Sequence, residues 1–99
     1  MEIKKVKKYI EDNYNLSFEY GKVYEPYLYF KKSDKCYELH FYTSLIGKNE
    51  ILYYVWNSVG KPLVMGYQYY VPSNFYDELD YILTARFNFI KYGKQLDLF

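Results

Sequence analysis

The chain has 99 residues, a formal charge of +1 from thirteen basic and twelve acidic side chains, 51% hydrophobic types and 24% aromatics, sixteen of them tyrosine. That length holds one compact domain, residues 1–99, and the apolar share excludes a disordered chain. The near-neutral balance excludes a dominant electrostatic pull toward nucleic acid or acidic lipid, and one cysteine excludes an internal disulfide or a cysteine-built zinc site.

In chain order, Ile3, Val6 and Ile10 recur at helical spacing with lysines around them, which predicts a short amphipathic helix over 3–12. Lysines near its N-terminus oppose the helix dipole, so this helix depends on docking. "NYN" at 13–15 ends it. Alternating runs follow: "LSFEY" at 16–20, a turn at Gly21 and Lys22, "YLYFKK" at 27–32, and a turn at "SDK" 33–35. "CYELHFYT" at 36–43 sets Tyr37, Leu39 and Phe41 against Cys36, Glu38, His40 and Tyr42. After a turn at "GKNE" 47–50 come "ILYYVW" and "LVMGYQYYV", joined through "NSVGKP".

Residues 72–93 read as a longer helix. Ser73 or Asn74 is its cap, Asp77 and Glu78 lie in its first turns, and Phe75, Leu79, Ile82, Leu83, Arg86 or Phe87, and Ile90 form one stripe. "FNF" at 87–89 is a point where it can break. "QLDLF" at 95–99 is an edge strand or a packed tail. The expected fold is α+β: an antiparallel sheet of four to five strands, with the N-terminal helix and the longer C-terminal helix on one face. Leu39, Phe41 and Met65 mark the side expected under the helices. The opposite side then collects Tyr27, Tyr29, Glu38, His40, Tyr42, Tyr54, Trp56, Gln68 and Tyr70.

Reactive constellations are scarce. On a strand, His40 lies four residues from Cys36, about 13 Å away, too far for a Cys/His nucleophilic pair. Cys36, Glu38 and His40 do not make the four ligands of a structural zinc site, and "SVGKP" lacks the glycine frame and hydroxyl of a phosphate loop. Asp77, Glu78 and Asp80 suit the positive end of a helix rather than a glycosidase pair. The expectation is therefore a non-enzyme with no cofactor and no metal.

Tyrosine in excess of what a small core needs points to a binding face. Tyr42, Tyr54, Trp56 and Tyr70 are the candidate partner-binding residues, with another protein or a second copy of the chain as partner and a homodimer as the simplest assembly. Twelve lysines against one arginine, six asparagines and one alanine are the bias of an AT-rich genome, which itself inflates tyrosine. Small size, that bias and the lack of a reactive site fit a phage or mobile-element inhibitor of a host defence enzyme, acting by steric occupation. The alternative is a single-stranded nucleic-acid module stacking bases on the same rings beside Lys31, Lys32 and Lys35. A lysine-rich start and the lack of any long apolar run lead to a cytoplasmic expectation, with neither secretory signal nor membrane helix.

Overall fold

A computed structural model describes residues 2–21, 27–43 and 48–92. Helix α1 spans Ile3–Tyr14. Strands β1 (Glu19–Tyr20), β2 (Tyr27–Lys32), β3 (Lys35–Thr43), β4 (Asn49–Asn57) and β5 (Pro62–Tyr70) follow. A C-terminal helical run then passes from a 3-10 turn (Pro72–Asn74) through α2 (Phe75–Tyr81) into a π turn (Ile82–Arg86). The five strands form one antiparallel sheet in chain order, so β5 is an edge strand. This is the expected α+β fold, with both helices contributing to one core on one side of the sheet. The expected turns at Lys22 and Gly47 and the tail at 95–99 lie outside the described residues.

Helix α1 buries Val6, Ile10 and Tyr14, one residue per turn of the same stripe. Its first turn has no acid and no side-chain cap, and its Lys8–Asp12 pair is solvent-exposed, so little local energy holds it. Docking supplies the rest. The Asp80 carboxylate accepts from Tyr9 Oη (2.9 and 3.0 Å), Tyr14 Oη (2.6 Å) and Lys91 Nζ (2.8 Å), tying α1 to α2 and to the segment beyond it. Asn15, at φ 57°, ends the helix by donating its N–H to Glu11 O.

The C-terminal run buries Phe75, Leu79, Ile82, Leu83 and Phe87 as the stripe predicted. The expected side-chain cap is absent at Asn74; its Oδ1 turns back to accept the Val71 N–H. The run stops at "FNF". Phe87 N–H reaches Ile82 O, Phe89 N–H reaches Leu83 O, and Asn88 takes φ 62°. Ile90 therefore leaves the stripe and is 64% exposed, while Phe87 and Phe89 fold back against Tyr37 and Phe30.

The register fixes which side of the sheet those helices cover. Leu28, Leu39, Tyr53 and Gly66 align across β2–β5, as do Phe30, Tyr37, Val55 and Val64. All of these belong to or pack against the core, except Gly66, over which Tyr53 lies. Leu39 and Phe41 are on the covered side as expected, but β5 is reversed relative to expectation: Met65 faces away from the helices and Tyr70 is buried. The cause is a bulge. Val55 pairs with Val64 while Trp56 pairs with Pro62, which leaves Leu63 as an extra residue. One inserted residue moves every later side chain of β5 to the other face.

Candidate protein interface

The face opposite the helices is built from alternate residues of β2 to β5. Its rows, read across the sheet, are Tyr27–His40–Leu52–Tyr67, Tyr29–Glu38–Tyr54–Met65, and Tyr42–Glu50–Tyr69. Tyr27 stacks on His40 at 4.5 Å and 11° between planes. His40 meets Tyr54 edge-on at 5.5 Å, and Tyr54 stacks on Trp56 at 5.4 Å. A ladder of four rings thus crosses three strands. Offset and edge-on pairs of this kind contribute about 0.5–1.5 kcal/mol each beyond burial, so the ladder is pre-organised. Its mutual packing leaves each of those rings half-buried.

Tyr42, Tyr54 and Trp56 lie on this open face, where the alternation of β3 and β4 places them. Trp56 Nε1 is shielded and has no hydrogen-bond partner among the described residues. Tyr70 does not join them. It is 6% exposed on the helix side, edge-on to Phe75 at 4.8 Å, and beside a cleft of about 300 Å³ lined by Val6, Thr43 and Phe75. Gln68 is on that side too.

In their place β5 presents Met65, Tyr67 and Tyr69, exposed by 61%, 55% and 52%, with Leu63 exposed at the bulge. These are the residues that sequence reasoning missed. Tyr67 and Tyr69 meet edge-on at 5.1 Å. A readable signal did exist: no charged side chain occurs from Pro62 through Tyr76.

The polar groups of the open face form structural contacts. His40 Nε2 and Glu38 Oε1 are 2.8 Å apart, and Tyr29 bonds to Glu19, which with the Glu19 charge raises the phenol's pKa. Burial, then the Glu38 charge, pushes the Cys36 thiol up, so the sulfur stays protonated at neutral pH. Cys36 sits opposite Lys31 and Trp56, four positions along the strand from His40. Among the described residues no group of three His, Cys, Asp or Glu side chains is arranged to hold a metal ion, and no helix is long and apolar enough to cross a membrane. Among the described strand residues of this face carboxylates outnumber lysines, Glu19, Glu38 and Glu50 against Lys31, with Lys48 near Tyr69 at its rim.

Asp77 and Glu78 occupy the first turn of α2. Asp80 is committed to Tyr9, Tyr14 and Lys91, whose protons are all held more tightly than usual. Tyr9, Tyr14 and Lys91 therefore keep their protons at neutral pH and are not activated as bases or nucleophiles. No protein family, curated protein or solved structure matches this chain.

Proposed function

We propose that this chain is a non-enzymatic protein-interaction module that occupies a partner's surface with its open sheet face. The observation that carries the reading is the apolar row Met65, Tyr67 and Tyr69 beside the ring ladder, on the side away from both helices. Tyrosine, tryptophan and methionine are the types enriched where partners meet, and rings locked by their neighbours lose little entropy on binding. Glu38 and Glu50 among those rings favour a partner with basic groups around an apolar patch.

Steric occupation needs no reactive group, and it is the mode of action we assign. Size and amino-acid bias favour a phage or mobile-element inhibitor of a host defence enzyme, working in the reducing cytoplasm. Single-stranded nucleic acid is the weaker reading. Stacking rings are present, but among the described strand residues of the face three carboxylates against one lysine repel the phosphates that supply most of such affinity.

Capture from nuclease-treated host extract on the immobilised chain tests this. The expected result is a protein retained by the wild type and by Tyr81→Ser, a change on α2, and lost with the double variant Tyr67→Ser, Tyr69→Ser. Retention of nucleic acid in untreated extract, with no protein after nuclease, would favour the alternative.

A further inference from the structure

The outer edge of β5 is nine residues long and pairs with β4 alone among the described strands. Natural proteins blunt such edges with lysine, inward-pointing charge or a short strand. None of these is present here, and no charge lies between Pro62 and Tyr76; the two other edge-blunting devices that β5 does carry, Pro62 and the bulge at Leu63, both sit at its first end and leave residues 64–70 regular. Its open-face side chains are exposed as well, so backbone groups and apolar surface are left over together on one strand.

We infer that β5 pairs antiparallel with β5 of a second copy of this chain, joining two five-stranded sheets into one of ten strands. This goes beyond the proposed function, because it concerns the edge and not what the open face occupies. The strand is its own complement. Antiparallel pairing about a twofold axis perpendicular to the sheet keeps both open faces on the same side. Pleating then allows only registers that set open-face residues opposite open-face residues. The register that uses the whole strand centres on Gly66, its fifth residue, and places Met65 opposite Tyr67 of the second copy and Tyr67 opposite its Met65. Apolar and aromatic cross-strand pairs of this kind stabilise a sheet.

The twofold brings no charged pair together, so nothing at the seam repels an identical chain. In-plane pairing covers the β5 backbone edge and the facing flanks of Leu63, Met65, Tyr67 and Tyr69 while their outer surfaces stay on the open face, an interface at the small end of the specific range and suited to association at tens of micromolar. A foreign extended segment satisfies the same hydrogen bonds but must first be ordered, whereas a second copy arrives with the edge already formed.

Sedimentation equilibrium of the full chain, joined to disulfide trapping, decides the matter. Wild-type protein at tens of micromolar should sediment at twice the 12.2 kDa chain mass. In a Cys36→Ser background, chains carrying Met65→Cys are mixed with chains carrying Tyr67→Cys and oxidised. The mixed disulfide should exceed either homodimer by at least about fivefold, because directly opposed Cβ atoms lie within bridging distance and diagonal ones do not. A wild-type mass of one chain at every concentration would overturn the pairing. So would a dimer that shows no preference for the mixed disulfide, which would place the contact on a face.

Discussion

At the scale of single residues, Asp80 joins three segments of the chain. Its carboxylate gathers two phenols and an ammonium, so that α1, α2 and the segment after the π turn share one polar junction. Burial, then the hydrogen bond to Asp80, raises the Tyr14 pKa above its ordinary 10.0, and the bond to Asp80 raises Lys91 above 10.5. A group that holds its proton more tightly when folded contributes stability that is complete below its unfolded pKa and lost above it. Stability should therefore be unaffected by these groups up to about pH 10 and fall beyond it. Tyr14→Phe removes one bond to a charged acceptor, about 1.5–3 kcal/mol, and should also make the alkaline fall shallower; urea unfolding from pH 7 to pH 11 checks both. Gly66 makes a second single-residue prediction. A Cβ there would overlap the hydroxyl of Tyr53 and come within 2.7 Å of its Cζ, so Gly66→Ala should cost about 1–3 kcal/mol. Adding Tyr53→Val to Gly66→Ala should relieve the overlap, and the melting cost of Gly66→Ala should shrink in that background.

At the scale of elements, β5 decides where the surface lies. Tyr53, 5% exposed under the helices, and Tyr67, on the open face, are aligned within two residues of each other across adjacent strands. Tyr53→Ala should cost about 3–5 kcal/mol and Tyr67→Ser less than about 0.5 kcal/mol, read as thermal or chemical unfolding of the two variants. Helix α1, the two faces of β3 and the parity of β4 were legible in the sequence because the apolar periods there are unambiguous. Strand β5 was not. Both parities of "LVMGYQYYV" carry apolar residues, and the pleat alone cannot say which row meets the core. The pairing near the hairpin, Trp56 with Pro62, continued without interruption, would have put Gln68 and Tyr70 on the same face as Tyr54; the extra residue at Leu63 cancels that. The end of the C-terminal helix was half legible. "FNF" marked the break, but the left-handed turn at Asn88 that sends Phe89 back to the core and Ile90 outward depends on a docking surface that no local pattern encodes.

At the scale of the whole molecule, the aromatic excess divides between two layers. Phe18, Phe30, Tyr37, Phe87 and Phe89 make a continuous ring cluster between helices and sheet. The ladder from Tyr27 to Trp56 and the exposed row of β5 occupy the other side, where the helices leave the sheet open. A small domain needs the first layer for its core, whereas the second leaves apolar surface in water at its exposed end, which marks a contact site. Equilibrium affinity for the captured partner, measured beside melting temperature for wild type, Tyr81→Ser and the double variant Tyr67→Ser, Tyr69→Ser, tests that claim most directly. Affinity should fall at least about tenfold in the double variant, with its melting temperature and the affinity of Tyr81→Ser unchanged. Undiminished affinity in the folded double variant, or a loss confined to Tyr81→Ser, would contradict the assignment of the open face as the interface.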